Sequence, residues 1–325
     1  MKEKEKNFES SLSDQPAGEN PYHVPVLLKE VLDGLNIKTN GVYVDCTFGG
    51  GGHSKAILSK LGKEGKLVAF DQDEAAKANL PAGQSGLPLD ERVIFVPHNF
   101  RHLQRFLRIN NVTAVDGILA DLGVSSHQFN EAGRGFSTRF DAMLDMRMDQ
   151  RQSQTAFDVV KSYSEEQLHK IFEQYGEVTN SKTLAKTIVQ VRNTVSLKTT
   201  EAFKNALHGI VKGNPKKYYA QVFQALRIEV NDELGALKDL LEQVAAVLKP
   251  GGRIAIITFH SLEDRMVKNF FRRGSFEEPV ENPFINTETI NQFRLITKKP
   301  VLPYPEEIKQ NSRSASAKLR VAEKK

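Results

Sequence analysis

Apolar residues in this chain recur in two patterns, short β-branched runs and longer stretches with helical spacing. Between the first three runs the apolar positions follow a helical period, as over residues 54–61. Strands that alternate with helices pair in parallel, and helices then cover both faces of the sheet. The pattern therefore predicts a doubly wound α/β fold. Its strands are expected at residues 42–46, 67–70, 93–96, 117–120 and 254–259.

Further segments extend this pattern towards the two ends of the chain. Residues 24–35 place their apolar side chains on one side of a helix ahead of the first strand. Residues 293–297 and 318–322 are β-rich, and we expect them to complete the sheet at its far edge. Residues 1–20 are charged and polar without an apolar core, which predicts a disordered tail and not a secretory signal.

The interval between the fourth and fifth strand runs is much longer than one crossover helix requires. Its last part, residues 219–248, has a helical period that predicts one long helix. The remainder is predicted to be an inserted, mostly helical subdomain. The expected organisation is a first part of the sheet domain over residues 21–130, the insertion over 131–217 and a second part over 218–325.

A turn of four consecutive glycines, residues 49–52, follows the first strand run, which ends near Asp45. Such a turn lets a small ligand touch bare backbone at the carboxyl end of a strand. The second run ends in Asp71, where an acidic residue can accept both hydroxyls of a ribose, with Asp73 as a nearby alternative. Together these features predict a site for an adenosine-type ligand at the edge of a parallel sheet.

The glycine spacing narrows the choice of ligand. A dinucleotide site is marked by Gly-x-Gly-x-x-Gly, but its third position is Ser54 or Lys55 here, and the sequence has no Gly-Lys-Ser/Thr phosphate loop. S-adenosylmethionine carries no phosphate, and its cationic amine would pair with Asp45, for which a helix cap is the alternative role. Phe100, after the third strand run, either packs on the adenine ring or belongs to the core.

The fourth strand run ends in Asp121, which should face the ligand where the strand order reverses. The exocyclic amine of a nucleobase is a poor nucleophile, because its lone pair is conjugated into the ring. Hydrogen bonds from the amine to Asp121 would favour its pyramidal form and aim the lone pair at a methyl group. We therefore expect Asp121 to be the catalytic residue of an amino methylation, with a turn cap as the alternative.

Six motifs run in order along most of the chain: YHVPVLL (22–28), TFGGGGHS (47–54), DLGVSS (121–126), LDMRMD (144–149), FQALRI (223–228) and FHSLEDR (259–265). Together they resemble the ribosomal RNA small-subunit methyltransferase H family. Members of that family use S-adenosylmethionine to methylate N(4) of a cytosine in the decoding region of bacterial 16S rRNA. Gly50 stands where an arginine is common in the family, and His127 where a proline is common.

This resemblance implies a class I methyltransferase (Rossmann-like) fold, a doubly wound sheet interrupted by a helical subdomain for substrate recognition. It implies that the enzyme acts on 16S rRNA of the small ribosomal subunit, whose target base must be turned out of folded RNA. The residues that it implies as contacts of the methyl donor are Gly51, Gly52, His53, Asp71, Phe100, Asp121 and Gln128.

Two further segments of the sequence each allow two interpretations. Residues 145–149 either line the acceptor pocket or form an internal ion pair. Residues 260–264 either order the acceptor or form a capping network, for which Ser261 and Asp264 have the spacing.

The candidates for stacking on the target base are Phe129, Phe136 and Phe140. The candidates for gripping the RNA are Lys212, Lys216 and Lys217 with Tyr218 and Tyr219, and the cluster of Lys298, Lys299, Arg313, Lys318 and Arg320.

Composition and charge agree with this picture. The net charge is +5, which suits a polyanionic partner. Cys46 is the single cysteine, so a disulfide within the chain is impossible, and the transfer is expected to need no metal. No apolar run is long enough for a membrane span, and we expect a cytoplasmic enzyme with no membrane partner. Homodimer formation is left open.

Three alternative functions remain at this stage. A DNA amino-methyltransferase would use the same chemistry, but the Asp/Asn-Pro-Pro-aromatic motif of general amino-methyltransferases is missing after Asp121. A non-catalytic ribosome-assembly factor could retain the fold, although the cofactor and acceptor motifs are intact. A dinucleotide oxidoreductase is disfavoured by the glycine spacing.

Overall fold

A computed structural model describes residues 25–81, 90–125, 128–129, 131–276 and 291–325, and the tail predicted over 1–20 lies outside them. The strands are β1 (Val42–Asp45), β2 (Lys66–Phe70), β3 (Val93–Val96), β4 (Val115–Asp121), β5 (Leu248–Thr258), β6 (Phe293–Leu295) and β7 (Lys318–Lys324). The α-helices are α1 (Leu28–Leu35), α2 (Gly52–Lys60), α3 (Leu103–Ile109), α4 (Ala156–Ser162), α5 (Glu165–Gln174), α6 (Ser181–Val191), α7 (Thr200–Leu207), α8 (Pro215–Asn231), α9 (Glu233–Val247), α10 (Ser261–Arg273) and α11 (Pro305–Gln310).

The strands form one sheet in the order β3-β2-β1-β4-β5-β7-β6. Strands β1 to β5 are parallel, and β7 runs antiparallel to both β5 and β6. The chain moves outward from β1 to β3 and then places β4 on the other side of β1. The carboxyl ends of β1 and β4 therefore border a crevice of the kind where open α/β sheets bind ligands. This order confirms the predicted doubly wound sheet, with the two C-terminal strands at its far edge.

Helices cover both faces of the sheet. One apolar layer packs α3, α9 and α10 against it, through side chains such as Leu103 and Leu240. The opposite layer packs α1 and α2, through side chains such as Val31 and Ile57. Helix α1 begins later than predicted, because Leu27 has a left-handed backbone with φ 53°. Within the described ranges, no helix combines the length and the apolar character that crossing a membrane requires.

A separate apolar cluster is built from the chain between β4 and β5. It contains buried side chains between residues 136 and 230, contributed largely by α4 to α8. Thr155 and Ser164 begin α4 and α5 with capping boxes. Helix α8 belongs to this cluster, because side chains such as Val222 are buried in it, so the packing extends past the boundary expected at residue 217.

The prediction of a single helix over residues 219–248 is wrong, because the helical backbone is interrupted at Asp232, between α8 and α9. Asp232 has φ 46°, a left-handed backbone that ends one helix and starts the next. The side chain of its buried neighbour Asn231 accepts the Met148 N–H at 2.7 Å and donates to the Met146 carbonyl at 2.8 Å. These bonds hold the end of α8 against the insertion, while α9 packs on the sheet.

Gly117, inside β4, provides a test of how tightly the sheet is packed. A Cβ atom at Gly117 would lie 2.7 Å from ring atoms of Tyr43, which is itself buried. We expect Gly117→Ala to lower the free energy of unfolding by about 1–3 kcal/mol through overpacking. In the control Gly209→Ala the new Cβ meets no atom within 4 Å, and we expect a change within about 0.5 kcal/mol. Urea unfolding measures both, and equal stabilities would contradict the packing argument.

Candidate active site

A cavity of about 510 Å³ opens at the crevice between β1 and β4. Its wall is formed by the glycine turn after β1, by residues that follow β2, β3, β4 and β5, and by parts of the insertion. The sequence-predicted residues that line it are Gly52, His53, Asp71, Phe100, Asp121 and Gln128. Gly51 and Asp45 are not on the wall.

The glycine turn shapes one end of this cavity. Gly51 directly precedes α2 and has φ 74°, a left-handed conformation that favours glycine. A Cβ atom at Gly52 would collide with the ring of Pro25. A Cβ atom at Gly50, in contrast, would meet no atom within 4 Å. The turn therefore requires glycine at positions 51 and 52 for its shape, while position 50 has room for a side chain.

Asp45 lies beneath the turn, although direct contact with a cationic ligand was expected. Its carboxylate accepts the Ser54 hydroxyl at 2.7 Å and the Thr47 N–H at 3.0 Å. Burial raises its pKa above the ordinary value, while these bonds and the nearby His53 oppose the rise. Because Asp45 is not on the cavity wall and both of its oxygens accept from neighbouring groups, this geometry supports a role for Asp45 in holding the turn, and it does not support the predicted pairing with an amine.

Asp71 and Asp73 both line the cavity but have different surroundings. The Asp71 carboxylate accepts the N–H of Gly49 at 2.7 Å and that of Asp73 at 2.8 Å, and burial raises its pKa to about 6. Burial also opposes ionisation of Asp73, but hydrogen bonds from Gln128 and Arg134 outweigh it and keep the pKa of Asp73 below its ordinary value. Asp73 is therefore committed to protein partners, whereas each Asp71 oxygen retains capacity for a further donor.

Phe100, which follows β3, and Gln128, which follows β4, both line the cavity. Phe100 begins a short 3-10 turn after β3 and is partly buried against the apolar layer of α3 and α9. The Gln128 side chain is buried, and its Nε2 donates to Asp73 Oδ2 at 2.8 Å. Asp73 thus holds Gln128 in position. Contact of either residue with a ligand stays a prediction.

Asp121 ends β4 and lines the cavity. Among the described residues, its Oδ1 has no hydrogen-bond partner, although that atom is buried. Its Oδ2 lies 3.7 Å from Nδ1 of His53. Burial raises the pKa of Asp121 to about 6, and the nearby His53 opposes the rise. A carboxylate with an unpaired oxygen at a ligand cavity is suited to accept hydrogen bonds from a ligand.

Phe259 and Asn231 are among the residues of the cavity wall that the sequence analysis did not identify as site residues. Phe259 directly follows β5 at the same carboxyl edge as Asp121, and this position was a signal that could have identified it. Asn231 gave no such signal, because the apolar period of the predicted long helix runs straight through it. Arg313, predicted as part of a basic cluster, also lines the cavity.

The segment after β5 forms a capping network, one of the two interpretations of residues 260–264. The residues that pair in it differ from those expected. His260 is the N-cap of α10 and pairs with Glu263 in a capping box, in place of Ser261 with Asp264. Asp264 instead accepts Arg320 at 2.6 Å. Arg320 is therefore buried in an ion pair and does not belong to an open basic patch.

Glu233, His260 and Glu263 place possible metal-ligand atoms within 4.8 Å of one another. Arg227 already donates to both oxygens of Glu233, at 2.7 and 2.9 Å. His260 Nδ1 accepts the Glu263 N–H, which in the neutral ring leaves the hydrogen on Nε2, the atom that a metal would need. We therefore assign this cluster to the hydrogen-bond network that supports the end of β5.

Burial and pairing bear on the other open interpretations. Arg147 pairs with Asp145 at 2.7 Å, which favours the internal ion pair. The rings expected to stack on a base do not line the cavity: Phe136 is buried, Phe140 is exposed, and Phe129 lies 4.6 Å below the Arg313 guanidinium. Tyr218 is also buried, so it is not a stacking surface, although Lys212, Lys216 and Lys217 are exposed.

Known proteins are similar to this chain along most of its length. The profile of the MraW methylase family matches residues 20–325. Ribosomal RNA small subunit methyltransferase H of Parabacteroides distasonis is 51% identical over 305 residues, 93% of this chain and 97% of that one. The protein of the same name from Bacteroides thetaiotaomicron is 52% identical over 306 residues, 94% and 98% of the two chains. Among solved structures, a rRNA methylase from Streptococcus thermophilus has a TM-score of 0.38 and 13% identity over 91% of this chain and 93% of that one.

These matches confirm the resemblance that the motifs indicated. They also confirm the expectation of a methyltransferase whose methyl donor is S-adenosylmethionine. The residues of the cavity fit that donor, because a phosphate-free ligand needs no phosphate loop and a ribose needs an acceptor such as Asp71.

The ion pair between Arg134 and Asp73 joins the insertion to the cavity wall and can be tested by its contribution to stability. Both side chains are buried, with Nη1 and Oδ2 2.9 Å apart. We expect Arg134→Met to lower the free energy of unfolding at pH 7 by about 3–5 kcal/mol, because Asp73 is left buried without its cation. The control Arg265→Met removes an exposed pair with Glu177 and should cost about 0–1 kcal/mol.

The pH dependence of this loss follows from the lowered pKa of Asp73. A lowered pKa contributes stability above the unfolded-state value near 3.8 and loses it as the pH falls. The difference in the free energy of unfolding between the wild type and Arg134→Met should therefore become smaller in acid. A difference that stays constant from pH 7 down to about pH 2, well below the unfolded-state value, would contradict the ion-pair explanation.

Proposed function

The chain belongs to the MraW methylase family, and we propose that it transfers a methyl group from S-adenosylmethionine to N(4) of a cytosine in the decoding region of 16S rRNA. The names of its relatives support a ribosomal RNA substrate. The observation that carries the proposal is Asp121, a carboxylate at the end of β4 that lines the donor-sized cavity and has a buried oxygen without a partner among the described residues.

The donor is proposed to lie across the carboxyl ends of β1, β2 and β4. Asp71 would accept the ribose hydroxyls, since its oxygens retain acceptor capacity. Gly52 and His53 would present the backbone of the first turn of α2, and Phe100 would pack on the adenine. Gln128, held by Asp73, would complete the contacts. Gly51 would act through the shape of the turn.

Asp121 is proposed to orient the acceptor amine. Accepting an N–H of N(4) favours its pyramidal form and directs the lone pair at the methyl carbon. The same carboxylate stabilises the positive charge that develops on the nitrogen as the methyl group leaves the sulfonium. Phe259, which lines the cavity beside Asp121, supplies an aromatic surface for the target base.

The inserted subdomain is proposed to bind the RNA around the target base. Lys212, Lys216 and Lys217 are exposed between α7 and α8 or in the first turn of α8, where they would contact phosphates. The proposed substrate is the small ribosomal subunit, which would be methylated in the cytoplasm, where ribosomes assemble. Self-association stays a prediction.

The role of Asp121 is tested by Asp121→Asn. The amide cannot accept the amine in the same way or carry a negative charge, so methyl transfer should fall by about 10²–10⁴-fold, while donor binding is largely kept. Transfer of a labelled methyl group to small subunits that lack the modification measures the rate, and mapping the label identifies the nucleotide. Asp33→Asn, on the exposed side of α1, is the charge-matched control and should keep wild-type activity. Normal turnover by Asp121→Asn would refute the proposed mechanism. If the wild type methylates duplex DNA and not small subunits, the proposed substrate is refuted.

The role of Asp71 is tested by the pH dependence of donor binding. Its pKa of about 6 means that the carboxylate is lost as the pH falls through that value. Donor affinity should therefore weaken from pH 7.5 to pH 5. Asp71→Asn should bind about 10-fold or more weakly at pH 7.5, as expected for loss of a charged hydrogen-bond acceptor, and lose that pH response. Titration calorimetry measures both, with Asp121→Asn as the reference that retains Asp71. An unchanged pH response in Asp71→Asn would refute the assignment.

A further inference from the structure

The two ring nitrogens of His53 face different acceptors. His53 is buried in the first turn of α2. Its Nε2 lies 3.0 Å from the carbonyl oxygen of Val26, and its Nδ1 lies 3.7 Å from Oδ2 of Asp121. A carbonyl oxygen only accepts, so Nε2 carries a hydrogen. In the neutral ring, Nδ1 would then present a bare lone pair to the carboxylate.

A lone pair that faces an ionised oxygen is repulsive, and the low polarity around a side chain as buried as His53 strengthens that repulsion. The doubly protonated ring has a donor on each nitrogen and therefore matches both acceptors. The charged groups around this pair are Asp45 on β1 and Glu263 on α10, the latter with His260 and Arg227 beside it. The carboxylates of Asp45 and Asp121 favour the cation, whereas the charge of Glu263 is compensated by His260 and Arg227.

We propose that His53 is held as an imidazolium cation and is a positioning residue that keeps Asp121 ionised at neutral pH. This inference rests on the proposed function and adds to the donor contact that the family resemblance implies for His53. An ionised Asp121 accepts the amine before the attack. A neutral carboxylic acid at the same place would instead donate its hydrogen and turn the amine away.

The chemical step balances with this assignment. The N(4) lone pair forms the N–C bond, and the electron pair of the broken C–S bond goes to sulfur, which becomes a neutral thioether. The methylated nitrogen carries the positive charge and is then strongly acidic, so it loses one proton to Asp121 although that carboxylate is a weak base. His53 keeps both of its hydrogens throughout, and the proton on Asp121 passes to water after the product leaves.

The experiment compares the pH dependence of methyl transfer in the wild type and in His53→Gln. The amide of Gln can still donate to the Val26 carbonyl, but it carries no charge. The wild-type single-turnover rate should rise with pH through about 6, the pKa of Asp121. In His53→Gln the midpoint should move up by about 1 pH unit or more, since an opposite charge at this distance lowers a carboxyl pKa by about 1–3 units. The variant should then be about 5-fold or more slower near pH 6 and approach the wild-type rate near pH 9.

His102→Gln is the matched control, because His102 is exposed and lies outside the cavity wall. A rate that falls equally at every pH in His53→Gln indicates a structural role, and an unmoved midpoint indicates no role; either result overturns the inference. If the wild type transfers no methyl group to small subunits, the proposed function fails separately.

A second measurement needs no variant. The ¹⁵N shifts of the His53 ring at pH 7 should show both nitrogens protonated in the wild-type protein. A bare Nδ1 at pH 7 would overturn the inference, whatever the kinetics of the variant or the identity of the substrate.

Discussion

Burial of carboxylates at one edge of the sheet is the constraint on which this molecule depends. Strand β1 ends in Asp45 and β4 in Asp121, while Asp71 directly follows β2, and burial raises the pKa of all three above the ordinary value. A buried charge is costly unless hydrogen bonds compensate it. The three residues differ in that compensation. Asp45 lies off the cavity wall and accepts from Ser54 and Thr47, Asp71 accepts two backbone N–H groups, and Asp121 Oδ1 has no partner in the described part of the chain. This difference distinguishes Asp45, which holds the turn, from Asp121, which is proposed to act on the substrate.

The insertion is connected to this edge through hydrogen bonds as well as through the chain. Arg134 donates to Asp73 on the cavity wall and also to the carbonyls of Arg147 and Met148. Met148 in turn lines the cavity, and its N–H is held by Asn231 at the end of α8. The part of the chain proposed to bind RNA is therefore built into the wall of the donor site. A substrate that displaces the insertion would also displace the groups that fix Gln128 and Met148.

The sheet and the glycine turn could be predicted because their signals are local. A β-branched run and four consecutive glycines have few alternative structures, and the end of a strand identifies the cavity edge. The break at Asp232 could not be predicted, since the apolar period continues through it and its cause is the contact of Asn231 with residues more than eighty positions earlier. The pattern of lysines beside Tyr218 could not show that the ring is buried, because the sequence is the same whichever way the ring points. Asp121 was identified from its strand, but the pairing with His53 depends on tertiary geometry.

The proline-aromatic motif that follows the acid in general amino-methyltransferases is absent after Asp121. Here Asp121 is followed by Leu122, which is buried, and Gly123, whose φ of 94° bends the chain away. A Cβ at Gly123 would lie 3.6 Å from the ring of Phe259, so the missing side chain leaves room beside that ring. Asp121 is in register with Ile257 on β5, which places Phe259 just beyond it at the same edge. The aromatic surface beside the carboxylate therefore comes from the neighbouring strand, and a motif defined along the sequence cannot detect it.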